Sequence, residues 1–334
     1  EQVRVVDGTA TITLGDGRQV SMMKGTQLKL TKAPSGSGDR PTLLAGELLV
    51  EAPHSPLAVN AGDSDVEVDR GAARLTRDLT VVVRTYTGSS TVTSAGRSLD
   101  VPALRQVNVP GVGLLPAAPS PLSYTAGDSW DERFLGDAIQ LGDELAARSR
   151  GFTAQLPAGE VANAGFYRQL IPALTSQPDF ESTFPVPDRP AGETLVGLAI
   201  TAEGAKGSFA DRLQQIFGFH DAGATWGLVA LDQGVKRVTI LGTVDEALGH
   251  GPTLVAEQPV TTSRSSSRSS TRAAAPAPAP EPASLPAQAA TPTPSSASPP
   301  ISNAGPLRTG VPLVDGTVNS LVDVLSGLLG ALGR

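Results

Sequence analysis

Asp63, Asp65, Glu67 and Asp69 place a carboxylate at every second position. On an extended strand that period puts all four on one face. Such a face could supply the several oxygens a calcium ion takes. Val66 and Val68 between them offer a plainer account, a half-exposed strand with valines inward and acids outward. A calcium loop of the helix–loop–helix kind would need glycine at its sixth position and glutamate at its twelfth. Counted from Asp63 those positions hold Val68 and Arg74. We therefore read a strand, with Arg70, Arg74 and Arg77 near enough to neutralise the acids across strands.

Ser21-Met-Met-Lys24 has the spacing that sets a serine nucleophile one helical turn from an activating lysine. It falls between two expected strands, where residues three apart face opposite sides, so the two groups are not expected to meet. The adjacent acids Asp131-Glu132, Asp143-Glu144 and Asp245-Glu246 diverge by about 100 degrees on a helix and are expected on solvated faces. His220 follows Ile216-Phe-Gly-Phe219 and is expected at a helix end; His54 and His250 stand far from it. Trp130, Trp226 and Tyr167 are read as core anchors on helical faces, because aromatics are only 4% of the chain. There is no cysteine, which removes disulfides, thiolate metal sites and cysteine nucleophiles. No nucleophile elbow, zinc-protease helix, phosphate loop or dinucleotide fingerprint occurs. The residues thus supply no specific argument for a catalytic site, a metal site or a cofactor, and none is expected.

Charge narrows the partners. Residues 1–115 carry 12 acids and 12 bases, residues 116–260 carry 18 acids against 9 bases, and residues 261–334 carry 3 against 5. No part offers a concentrated basic field, so nucleic acid is not expected as a partner. Arg264, Arg268 and Arg272 lie in a serine tract that reads as solvated linker. No apolar run is long enough to span a bilayer.

Residues 1–115 alternate at the two-residue period of half-buried strands: Ala10, Ile12 and Leu14; Leu28 and Leu30; Leu57 and Val59; Leu79, Val81 and Val83; Val107 and Val109. Glycine-rich turns such as Gly15-Asp16-Gly17, Gly62-Asp63 and Gly88-Ser89 separate them. These signals specify an all-β domain: a sandwich, a rolled sheet or a short solenoid. Its phrases Val20-Ser-Met-Met-Lys-Gly-Thr-Gln-Leu-Lys-Leu30, Leu44-Ala-Gly-Glu-Leu-Leu-Val50, Pro56-Leu-Ala-Val-Asn-Ala-Gly62 and Val83-Arg-Thr-Tyr-Thr-Gly-Ser-Ser-Thr-Val92 resemble the FecR-type β domain, over about residues 2–112. The resemblance implies a non-enzymatic bacterial domain outside the cytoplasmic membrane, tethered by an upstream transmembrane helix and used in signalling or assembly. A membrane tether upstream of Glu1 is accordingly expected.

Residues 116–127 read as a linker. Ser129 and Glu132 fit a capping box that opens a helix with Trp130, Phe134, Ala138, Leu141 and Leu145 on one face, running to about Arg150. A second helix is expected near Ala164–Leu174, stopped or kinked by Pro172. Ser208 opens another, and Asp221 is expected to cap one through Trp226 that ends at Gly234. Glu193–Thr201 fits helix or buried strand equally. Residues 128–255 thus form an acidic, mainly helical domain, folding independently of the first. Residues 256–310 are an Ala/Pro/Ser/Thr-rich disordered spacer. In the tail, 311–334, Val318, Leu321, Val322, Leu325, Leu328, Leu329 and Leu332 make one apolar helix face, expected to dock on a protein partner or a second copy, with fold-back onto the helical domain as the alternative. The expected protein is therefore a modular, extracytoplasmic binding, signal-relay or envelope-assembly protein. An envelope hydrolase with its site in 128–255, or a wall-polymer-binding module, is the alternative.

Overall fold

The structure, a computed structural model, describes residues 1–14, 16–32, 39–156, 163–184 and 189–257. The expected spacer beyond residue 257 and the amphipathic tail, including Val318, Leu321, Val322, Leu325, Leu328, Leu329 and Leu332, lie outside the described residues.

The N-terminal region is all β, as its alternation requires. Its strands are β1 (Gln2–Arg4), β2 (Thr9–Thr13), β3 (Gln19–Met23), β4 (Gln27–Lys32), β5 (Asp39–Ala52), β6 (Leu57–Ala61), β7 (Ser64–Arg77), β8 (Val81–Ser94), β9 (Arg97–Pro102), β10 (Arg105–Val109) and β11 (Ser120–Pro121). They form one hydrogen-bonded sheet, β1-β4-β5-β6-β7-β8-β10-β11, with β2–β3 joined to β5 and β9 to β8. Strands β5, β7 and β8 have 14 residues each. A straight strand of that length would hold its ends about 43 Å apart. Yet the Arg77 side chain at the end of β7 packs against Gly62, two residues before its start, and its Nη1 donates to the Leu43 carbonyl (2.6 Å). The long strands must therefore double back. The first half of β7 pairs with β6 and its second half with β5, so the sheet folds over into two layers.

The bend lies where β7 and β8 lose register, between Asp69 and Ala72. Arg70 takes a positive φ of 46° there, and Gly88 opposite it takes 70°. A Cβ on Gly71 would sit 1.9 Å from the Thr87 carbonyl oxygen, so only glycine lets the two backbones approach this closely. Between the layers lies an aliphatic core of Val20, Met22, Leu28, Leu48, Val50, Val59, Val66, Leu75, Val83, Val92 and Val107 among others. The acid strand follows its plainer reading, with Val66 and Val68 buried and Asp65 and Glu67 exposed. Leu79 departs from the expected strand: it occupies the β7–β8 turn and is 91% exposed. The expected linker contains β11, which pairs with β10.

The helices are α1 (Ser129–Gln155), α2 (Ala164–Leu170), α3 (Phe180–Thr183), α4 (Ala191–Glu203), α5 (Phe209–Asp221), α6 (Trp226–Asp232) and α7 (Arg237–Glu257), with a 3-10 turn over Pro172–Ser176. Pro172 ends α2 as expected, because its ring cannot continue an α-helix. Helix α4 resolves the ambiguous segment. Leu195, Val196, Leu198, Ala199 and Ile200 are all buried, since α1, α5, α6 and α7 surround it. A helix wrapped on every side has no polar stripe to reveal its period. Three ends differ from expectation. Asp128, not Ser129, caps α1 by accepting from the backbone N–H groups of Trp130 and Asp131, with Glu132 accepting from Gly127 N–H. Helix α1 runs past Gly151 to Gln155. Thr225 caps α6, while Asp221 closes α5 and pairs with Arg189.

Candidate functional site

Two polar centres stand out, one between sheet and helices and one among helices with Tyr124, from the segment before α1, in its lining. The first begins on β7, where Ala72, Ala73, Arg74 and Leu75 are all buried although a one-sided strand should alternate. Helix α1 covers the outer face there, and Leu49, Tyr86, Leu104 and Leu122 of the β region join the core of the helices. Arg74 points into this junction. It pairs with Glu47 on the neighbouring strand β5, with Asp128 of the α1 cap (3.0 Å) and with Asp131 (3.7 Å). The Tyr86 hydroxyl donates to Asp131 Oδ1 (2.6 Å), and Thr125 N–H donates to Oδ2 (2.8 Å). The Tyr86 ring stacks on Phe134 at 4.7 Å, and the Arg74 guanidinium lies 5.2 Å from the Trp130 ring centre. Burial raises the Tyr86 phenol, and the hydrogen bond to Asp131 raises it further. Burial also pushes Asp128 up, but the α1 N–H groups and Arg74 outweigh it and hold that carboxyl below its ordinary value. Asp131, expected on a solvated face, is 2% exposed. Every group in this centre has a protein partner, so it joins two layers rather than receiving a ligand.

The second centre is a cleft of about 470 Å³ walled by α1, the start of α4 and the α5–α6 turn. Its size falls within the range of small-molecule sites. Helix α1 contributes Asp143, Ser149 and Arg150, and α4 contributes Glu193. His220 lies in the last turn of α5, as its sequence position indicates. Its Nδ1 hydrogen-bonds the Ala224 carbonyl (2.8 Å) and its ring stacks on Trp226 at 3.8 Å. If Nδ1 carries the proton, as a carbonyl partner requires, Nε2 presents a lone pair toward the cleft side of Glu193, 3.8 Å from Oε2. Ser149 lines the cleft at 5% exposure, and its hydroxyl makes no hydrogen bond among the described residues. A small-residue floor at Gly142, Ala146 and Ala224 leaves the space open. Adjacent acids diverge here as expected: Asp143 faces the cleft while Glu144 turns to Arg237 on α7.

The remaining candidates fall apart spatially. Ser21 lies in β3 and meets Thr11 (2.9 Å), whereas Lys24 pairs with Asp7 (3.0 Å). Asp65 is held by Asn60 (3.1 Å) and Arg40, and Asp69 by Arg70 (3.3 Å). Arg74 and Arg77, expected to neutralise these acids, are engaged elsewhere. His54 and His250 are exposed. Among the described residues no group of three or more metal-ligating side chains comes together, and no helix is long and apolar enough to cross a membrane. Trp130, Trp226 and Tyr167 are buried anchors. Arg74, Tyr86 and Glu193 carried no site signal in the sequence beyond the scarcity of tyrosine.

No family model and no curated protein matches this chain. Two crystal structures of a proposed anti-sigma factor from Parabacteroides distasonis ATCC 8503 are similar to it, at 18% and 19% identity. Each match covers 35% of this chain and 58% of the other, with a TM-score of 0.30. The chain thus spans little more than half the length of the structures it matches. At that TM-score the likeness carries no argument.

Proposed function

We propose that this chain is a non-catalytic binding, signal-relay or envelope-assembly protein that works outside the cytoplasm, tethered to the membrane. The observation that carries a binding role is at one end of the folded sheet. Leu79 and Val112 line the same shallow depression of about 130 Å³, and Leu114 lies two residues further on. All three are exposed, at 91%, 61% and 60%. Exposed aliphatics gathered on neighbouring turns suit contact with an apolar protein surface. The FecR-type resemblance of residues 2–112 supports the compartment and a protein partner. Chemical cross-linking in intact cells tests the binding role. The Leu79→Asp, Val112→Asp double variant should lose the wild-type adducts while keeping its melting temperature; unchanged adducts would remove this reading. Protease added to intact cells should digest the chain, and full protection beside digested outer-surface controls would refute the compartment.

The Ser149, His220 and Glu193 cleft favours a second reading, a hydrolase. It brings together a hydroxyl, an imidazole and a carboxylate, the group types of nucleophilic catalysis. Turnover of activated esters that disappears in His220→Ala would select the hydrolase over the binding protein.

A further inference from the structure

The helical cleft has a charge sign that predicts what it binds. Asp143 stands on one wall and Glu193 on another. Among the described residues Asp143 enters no ion pair, and the one ion pair of Glu193 is with the His220 ring, which counts only when that ring is protonated. Arg150 is the single permanent cation in the lining. The end of α5 at His220 and the first turns of α4 and α6 all meet at the cleft, so helix ends of both signs lie there and the side chains decide its sign. The charged residues beside the cleft do not reverse this balance, because Arg189 is engaged by Asp221 and Arg148 by Asp245. The cleft therefore offers two acids against one base, a Trp226–His220 stack and the hydroxyl of Ser149 in its lining.

We propose that this cleft is a binding site for a small organic cation, a guanidinium or ammonium group such as a basic side chain presents, held between Asp143 and Glu193 against the Trp226–His220 stack. The carboxylates supply charge-assisted acceptors, and the Ser149 hydroxyl can take up one further N–H. Arg150 opposes the ligand electrostatically and sets an upper bound on affinity. The site is separate from the exposed turns of the sheet and does not depend on whether those dock a partner.

The test uses the full chain carrying Trp130→Phe, which leaves Trp226 as the only tryptophan. Acetyl-arginine amide is titrated by calorimetry and indole fluorescence, beside acetyl-citrulline amide as the neutral isostere and acetyl-glutamate amide as the anion. The arginine probe should bind saturably and shift Trp226 emission, and the other two should not. Asp143→Asn and Glu193→Gln should each weaken it by up to about fivefold, and Arg150→Gln should tighten it by a similar factor, as expected for partly exposed charge pairs. Both acids lie at the rim, so melting curves should be unchanged and misfolding is separable from lost binding. Absence of saturable binding overturns the proposal. So does preference for the glutamate probe with the three variant effects reversed in sign, which would make the site anionic in its choice.

Discussion

Arg74→Met tests how the sheet is joined to the helices. Methionine keeps the aliphatic stem against Trp130 and removes the charge. In the native fold the Arg74 side chain is 7% exposed and faces carboxylates of Asp131 (2%), Asp128 (17%) and Glu47 (33%). Removing one partner of a buried ion pair costs about 3–5 kcal/mol, mostly because the abandoned charge stays desolvated. Asp131 keeps its hydrogen bonds from Tyr86 and Thr125, and Glu47 can turn toward water, so the low end, about 3 kcal/mol, applies here. For a body of this size about 1 kcal/mol moves the melting temperature by roughly 2–4 °C. The expected drop is therefore about 6–12 °C, read by circular dichroism at wavelengths reporting strand and helix. Arg133→Met provides the internal control. Arg133 pairs with Glu51 across the same junction but is 56% exposed, so its loss should cost at most about 1 kcal/mol. Asp131→Asn placed on Arg74→Met should recover part of the loss, since the stranded charge is gone. A drop under about 2 °C for Arg74→Met, or a loss equal to that of Arg133→Met, would refute the view that buried charge holds the two layers together.

Cutting the chain near residue 120 exposes Leu49, Tyr86 and Leu104 on one fragment and Trp130 and Leu135 on the other; we expect 1–115 to melt well below the intact chain when each is followed by dichroism. Gly71→Ala forces a Cβ into the Thr87 carbonyl and should destabilise far more than Gly8→Ala, where the φ is positive but the space is open and about 1 kcal/mol is expected. Ser208→Ala removes the cap that accepts from Asp211 N–H and should cost about 1 kcal/mol, whereas Ser129→Ala should cost little because Asp128 holds that cap. Asp128 has a carboxyl lowered from 3.8 in the folded state, so it stabilises above that value and the gain is lost as pH falls through the folded value; acid melts of Asp128→Asn should show a shallower decline below about pH 4 than the wild type.

How much of this was legible in the sequence depends on the range of the contact that decides each feature. Pro172 ends α2 and Ser208 starts α5 through groups within four residues, and both were readable. The two-residue alternation marked the strands for the same reason. Helix α4 was ambiguous because four neighbouring helices bury all its faces, which erases the polar stripe on which period analysis rests. Ala72–Leu75 lost its alternation by the same physics, with α1 covering a face that would otherwise be wet. The Arg74 cluster spans residues 47 to 131, and nothing local to Arg74 says that its partners are Glu47 and Asp128 rather than the nearby Asp69. Even the shifted cap of α1 reflects this: with Asp128 taking the helix N–H groups and Arg74 together, Ser129 is left inside the first turn.

The cleft divides in the same way between what composition contains and what only folding supplies. Asp143, Glu193 and His220 are separated by about 50 and 27 residues in the chain, so no spacing rule could gather them. Local signals placed His220 at a helix end and separated Asp143 from Glu144, but they gave no reason for the two helices to face one another. That reason is α4, whose apolar circumference must be covered and which packs against both α1 and α5. The sign of the cleft was nearer the surface of the sequence. In a region with 18 acids and 9 bases, folding pairs Arg148, Arg168, Arg189 and Arg237 with carboxylates and leaves acids in excess. Surplus carboxylates spread over the solvated surface, and two of them line the cleft. Asp143 and Glu193 are part of that surplus, which is why a cation is the ligand on which the variants of this cleft should turn.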